Sequence, residues 1–136
     1  MSGLDSRILR IMDANFNRSR EGLRVCEDVA RFILNSSVIA KDLKSARHAI
    51  STILMSIPPE WAGLLVDSRD SKSDVGSAVH STSEMSRKSP CDIFCANIER
   101  VKESLRVLEE FSKILDAGMS RKFSTLRFKI YDIEKR

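Results

Sequence analysis

Apolar side chains return every three to four residues over two long stretches of the chain, about Asp5 to Ile57 and about Pro90 to Lys135. That is the period of an amphipathic helix, and no stretch alternates with period two long enough to suggest a strand. Local signals divide the stretches. Helix one is predicted from about Asp5 to Leu34, ending at Asn35-Ser36-Ser37, where Asn suits the position after a helix and Ser an N-cap. Helix two runs from about Val38 to Ile57 and stops at Pro58-Pro59. Ser89-Pro90-Cys91-Asp92 starts helix three with a capping Ser, Pro at the first turn and an acid at its third position. That helix extends to about Asp116, Gly118 breaks it, and helix four fills Ser120 to about Lys135. The expected fold is all-α: a duplicated helical hairpin, residues 5–57 and 90–135, forming a four-helix bundle-like single domain. The joining loop, residues 58–89, is rich in Ser, Asp and Gly; a loop of that length in a compact domain is uncommon and tends to be functional or disordered.

Two polar residues interrupt the pattern in helix one. At 100° per residue Asn15 falls at the centre of the apolar arc, and Arg18 lies about 60° from it. A shift of 82 residues brings the same placement back in helix three, at Asn97 and Arg100. Across 14–28 and 96–110, eight of fifteen positions are identical: Ala14/Ala96, Asn15/Asn97, Arg18/Arg100, Glu21/Glu103, Leu23/Leu105, Arg24/Arg106, Val25/Val107 and Glu27/Glu109. Such a match marks an internal duplication. The second helices align as well, KDLKSARHAI (41–50) with RKFSTLRFKI (121–130), which sets Arg47 opposite Arg127 within apolar surroundings.

Folded as hairpins, the halves are expected to turn Arg18, Arg47, Arg100 and Arg127 inward with Asn15 and Asn97. A buried guanidinium costs several kcal/mol unless paired, and the nearby Glu21 and Glu103 offset at most two. An anionic ligand is expected to balance the rest, since the planar fork of Arg suits phosphate or carboxylate. The competing reading is a purely structural Arg–Glu–Asn network that sets helix register, with edge arginines reaching solvent along their stems. Arg24, Glu27, Arg106 and Glu109 fall on the polar side and are expected to form intrahelical pairs or contacts to a neighbouring helix.

Composition narrows the field. Hydrophobic residues at 42% and charged residues at 31% fit a soluble globular chain. No run approaches the ~18 apolar residues of a membrane span, and no secretory signal pattern opens the chain, so a cytoplasmic address is expected. The net charge of +4 is spread among interleaved acids, and one Trp and one Tyr supply few stacking surfaces, which disfavours nucleic acid. Three cysteines (Cys26, Cys91, Cys95) argue against a disulfide framework, and Cys91, Cys95 and His80 match no structural zinc spacing. Neither a Walker A loop nor a dinucleotide fingerprint is present, and no Ser–His–Asp set can be assembled. In the loop, Arg69, Asp70 and Asp74 stand close to Gly76; acids four apart beside an Arg suit Mg²⁺ and phosphate together.

Four segments in order, ANFNRSREGLRVCED, RDSKSDVG, ANIERVKESLRVLEE and LRFKIYDIE, resemble the monofunctional hydroxymethylpyrimidine phosphate kinases of thiamine biosynthesis, a small helical domain often fused ahead of thiamine-phosphate synthase and also found alone. The resemblance covers about Arg7 to Glu134. It implies ATP-dependent phosphorylation of 4-amino-5-hydroxymethyl-2-methylpyrimidine phosphate to the diphosphate. An acceptor phosphate, whose second pKa is about 6, is largely deprotonated at pH 7 and needs no general base; transfer between anions requires positioning and charge neutralisation. In that reading Arg18, Arg47, Arg100 and Arg127 clamp phosphates, with Arg69, Glu21 and Glu103 beside them. Asn15 and Asn97 hydrogen-bond the pyrimidine or sugar, and Asp70 and Asp74 hold Mg²⁺. Expected partners are ATP and the pyrimidine phosphate, with homo-oligomerisation and association with thiamine-phosphate synthase as further interactions. The rival readings are a non-enzymatic module for a phosphorylated ligand and a helical mutase acting on an anionic substrate.

Overall fold

A computed structural model describes residues 5–67, 69 and 86–135, and no strand occurs among them. The first helix, α1, spans Ser6–Asp28; its N-cap Asp5 accepts a hydrogen bond from the Arg7 amide at 2.8 Å. The helix then widens into a π turn, Val29–Ile33, closed by Leu34 N–H donating to the Val29 carbonyl at 3.0 Å. Asn35 takes the left-handed conformation (φ 52) that ends helices, and Ser36 N–H reaches back to the Ala30 carbonyl at 2.9 Å. The Ser36 hydroxyl accepts from Ile39 N–H and opens α2, Ser37–Met55. Both end signals anticipated in Asn35-Ser36-Ser37 are thus in use.

Two boundaries differ from expectation. The region after Pro58 is not irregular from its start: Pro59–Asp67 forms a short helix, α3. Pro58-Pro59 stops α2, but Pro is also well placed in a first helical turn, where its missing N–H costs nothing. Trp61 and Leu65, one turn apart, pack this helix onto the α1 side of the core. Later, α4 spans Pro90–Leu115, with Ser89 Oγ accepting from Asp92 N–H at 3.1 Å as the start signal predicts. The break that follows is at Asp116, in extended backbone, and not at Gly118. The Asp116 carboxylate accepts from Gly118 N–H at 2.8 Å, so the glycine lies inside the first turn of α5, Ala117–Lys135.

The helices form two hairpins, α1 with α2 and α4 with α5, closed into a bundle by α1 against α4 and α2 against α5. The all-α duplicated-hairpin architecture therefore stands. Leu23, Leu43, Ile50, Leu105, Phe123 and Ile130 are fully buried in one continuous core, and the Phe16 and Phe123 rings meet edge to face at 5.6 Å. None of these helices is long and apolar enough to cross a membrane.

The crossing of α1 and α4 is the most intimate contact. A Cβ at Gly22 would stand 2.8 Å from Val101 Cγ2 and 3.2 Å from the Asn97 carbonyl, so the two backbones meet where only hydrogen fits. Further along, Cys26 Sγ lies 3.6 Å from the Phe94 carbonyl, while Ala14 and Arg18 share a cleft wall with Val107. Sequence number rises on one helix as it falls on the other: the pair is antiparallel, and its two members are the two copies of the repeat.

Two arginine-lined clefts as the candidate functional site

The repeated polar residues separate into an inner and an outer set. In the inner set Arg47 Nε donates to Glu27 Oε2 at 3.0 Å, and Arg127 donates to Glu109 Oε1 through both Nε and Nη2 at 3.1 Å. Side chains in these pairs are only 10–21% exposed. Glu27 and Glu109 therefore do not lie on a solvated face; they reach across to the neighbouring helix and neutralise the inward arginines. The carboxylates doing so are not Glu21 and Glu103, which are both exposed. Arg24 and Arg106 make the intrahelical pairs instead, with Asp28 at 4.0 Å and Glu110 at 3.1 Å.

The outer set behaves differently. Asn15 is buried and Asn97 half-buried, and each donates an amide proton to the carbonyl one turn earlier, Ile11 and Ile93, at the same 2.8 Å. This bond holds the mid-arc amides without any ligand. Arg18 and Arg100, expected inward, are exposed at their ends. Their stems leave the helix near the apolar arc but are long enough to carry the charge to solvent. Arg18 Nη1 approaches Asn15 Oδ1 at 3.5 Å, and Arg100 makes no ion pair among the described residues.

Each of these arginines lines a cleft. The first, of about 800 Å³, lies on α1 and carries Arg7, Arg10, Asp13, Asn15, Arg18 and Arg69 over a floor that includes Ile11 and Val107. Asp13, nearly buried, grips Arg69 with both carboxylate oxygens, at 2.7 Å to Nε and 2.9 Å to Nη2. The fork geometry is that of a bidentate Arg–carboxylate pair. It raises the hold of Arg69 on its proton and anchors the chain just beyond α3 at the cleft rim. Arg7 is tied to Asp5 in the same way, Nη2 to Oδ2 at 2.8 Å. The second cleft, of about 710 Å³, lies on α4 and carries Arg87, Lys88, Asp92, Arg100 and Glu103.

Seven of the eleven residues proposed from sequence for ligands or chemistry thus fall into three places. Asn15, Arg18 and Arg69 gather in the first cleft, Arg100 and Glu103 in the second, and Arg47 and Arg127 in internal ion pairs. Glu21 and Asn97 line neither cleft. Asp70 and Asp74, the proposed Mg²⁺ ligands, lie outside the described residues. Sequence reasoning missed Asp13, Arg7 and Arg10; the spacing of Arg7 and Arg10 with Arg18 along one side of α1 was the available signal, whereas Asp13 shares no helical spacing with Asn15. Arg87 and Lys88 lack any such periodicity, because they precede the helix.

Comparison with known proteins gives a consistent picture. The model of the ThiD2 family matches residues 10–136. A thiamine-phosphate synthase of Rhodopirellula baltica is 38% identical over 133 residues, covering 96% of this chain and 34% of that protein. Those of Parasynechococcus marenigrum and Synechocystis sp. are 35% and 38% identical, with 98% and 93% of this chain covered and 36% and 35% of theirs. The chain thus spans about a third of the length of the curated relatives it matches. No solved structure matches it significantly.

Proposed function

The chain belongs to the ThiD2 family, and from that premise we propose that it is a phosphotransferase of thiamine biosynthesis. Its reaction is the phosphorylation of 4-amino-5-hydroxymethyl-2-methylpyrimidine phosphate to the diphosphate at the expense of ATP. Relatives named for thiamine-phosphate synthesis support the pathway. The observation that supports the chemistry is the first cleft, where Arg18, which makes no ion pair among the described residues, lines the same wall as Arg69, itself held in a fixed orientation by Asp13.

Phosphoryl transfer between two anions is limited by bringing them together and by the charge that accumulates as they meet. Preoriented guanidiniums meet both needs. Asp13 serves as the positioning residue: it holds the Arg69 fork so that little side-chain entropy is lost when an anion arrives. Asn15 aligns Arg18 through its carbonyl oxygen while its amide remains on the helix backbone. ATP supplies the phosphoryl group; Asp70 and Asp74, which follow Arg69 in sequence, would hold the Mg²⁺ that screens its charge. Arg47 and Arg127, neutralised by Glu27 and Glu109, contribute scaffold and not ligand contacts.

A coupled assay of the folded chain with ATP, Mg²⁺ and the pyrimidine monophosphate tests this reading. ADP release that depends on the pyrimidine is expected, and Arg18→Met lowers kcat/KM by about tenfold or more, the worth of one charged hydrogen bond. Folded protein that forms no ADP above background overturns the proposal.

A further inference from the structure

The two clefts are themselves related by the duplication. Ala14 and Arg18 line the first and Ala96 and Arg100, their counterparts 82 residues on, line the second. The contacts of Cys26 with Phe94, Gly22 with Val101 and the Ala14 region with Val107 centre a pseudo-two-fold axis near residues 19–20 of α1 and 101–102 of α4. A two-fold that exchanges antiparallel neighbours stands perpendicular to the plane of the pair, so it preserves their faces. Both clefts therefore open on one side of the α1–α4 layer, away from α2 and α5. At 1.5 Å per residue their centres lie roughly 16 Å apart along the pair. Arg18 and Arg100 stand within two residues of the axis, on the facing rims of the two clefts.

The clefts are not copies in their chemistry. The first has the larger volume, an apolar floor of Ile11, Ala14 and Val107, and four arginines, two of which, Arg7 and Arg69, are paired with Asp5 and Asp13. In the second the position of Arg10 is taken by Asp92, the cations are Arg87, Lys88 and Arg100, and Glu103 adds a second acid. A site with apolar floor and greater positive charge suits a ligand with an aromatic base and a polyphosphate chain. A smaller polar site with less net charge suits one phosphate monoester.

We propose that the domain has two anion sites divided between its halves. The nucleoside polyphosphate takes the α1 cleft, and the second cleft, through Arg87, Lys88 and Arg100, takes the phosphate of the acceptor. The division rests on the phosphotransferase reading for the identity of the ligands, and it explains why the duplication retained an outward arginine in each half: Arg18 and Arg100 receive the two phosphates from opposite sides of the axis.

Titration calorimetry with ADP and, separately, with the pyrimidine monophosphate tests the division. Arg69→Met or Arg7→Met, each checked for an unchanged thermal melt, weakens ADP about tenfold or more and leaves the monophosphate within about twofold. Arg87→Met combined with Lys88→Met does the reverse. The division is overturned if both sets of variants weaken the same ligand, if ADP and the monophosphate compete for one site, or if neither binds. The assay of turnover reads separately. Selective binding without ADP formation sinks the phosphotransferase reading and leaves two sites, whereas turnover with unselective variants sinks the division alone.

Discussion

Among its repeated arginines the chain turns Arg47 and Arg127 into the bundle and Arg18 and Arg100 toward the outer clefts, and these two pairs are handled in opposite ways. Arg47 and Arg127 meet Glu27 and Glu109 across each hairpin at 3.0–3.1 Å, largely withdrawn from water. Arg18 and Arg100 sit on the helices that cross at the pseudo-axis and present their charge to open clefts. A guanidinium that must be desolvated to fold has to be paired by the protein, because left alone it costs several kcal/mol. One that stays at the surface costs little and remains available to an anion. Equal repetition in the sequence therefore covers two unlike physical roles, one in stability and one in recognition.

The largest effect is expected from breaking the inner pair. Glu109→Ala leaves Arg127 half-buried with no carboxylate and lowers unfolding stability by roughly 3–5 kcal/mol, with Glu27→Ala similar for Arg47. Urea unfolding followed by circular dichroism measures both; a loss under about 1 kcal/mol would mean that the guanidinium escapes to water and that the inner and outer arginines are not distinct.

Gly22→Ala probes the crossing that sets the two clefts on one face. The added methyl meets Val101 Cγ2 at 2.8 Å and the Asn97 carbonyl at 3.2 Å, so the helices must separate at a cost of roughly 2 kcal/mol. Val101→Ala in the same chain should recover part of that loss, and a neutral Gly22→Ala would show the crossing to be loose.

A smaller asymmetry between the halves is Cys26, which stands where the second half has Leu108. Burial, with the nearby Cys95 adding, pushes the Cys26 thiol from its ordinary 9.0 up to about 12. The unfolded thiol ionises first, so the native state holds the extra proton between these values and stability falls as pH rises from about 9 toward 12. At pH 10 wild type is expected to have lost roughly 1–2 kcal/mol relative to a Cys26→Ala chain referenced to pH 7. Parallel pH profiles for the two proteins would refute the buried-thiol assignment. Smallest of all is the effect of Arg100→Met on stability, under about 0.5 kcal/mol, because an exposed unpaired arginine contributes nothing to folding that a methionine lacks.

Much of the fold was legible because its signals are local. Helical period, the Ser36 and Ser89 caps and the left-handed Asn35 depend on residues within a turn of one another, and the structure uses each of them. The short α3 was hidden because Pro59 supports both the end of one helix and the start of the next. The candidate site was legible in part. Arg18, Asn15, Arg69 and Arg100 were singled out by repetition or loop context, while Asp13 pairs across 56 residues with Arg69 and leaves no periodic trace.

The amino-acid order alone determined the four long helices, their duplication and the pairing of Asn15 with Asn97, since each follows from spacing along one helix and from comparison of one half with the other. Only the tertiary structure decided which repeated arginine is neutralised and which is free to bind. A wheel gives the direction in which a side chain leaves its helix. Where a long side chain ends, and whether a carboxylate of the neighbouring helix meets it there, depends on how the helices pack.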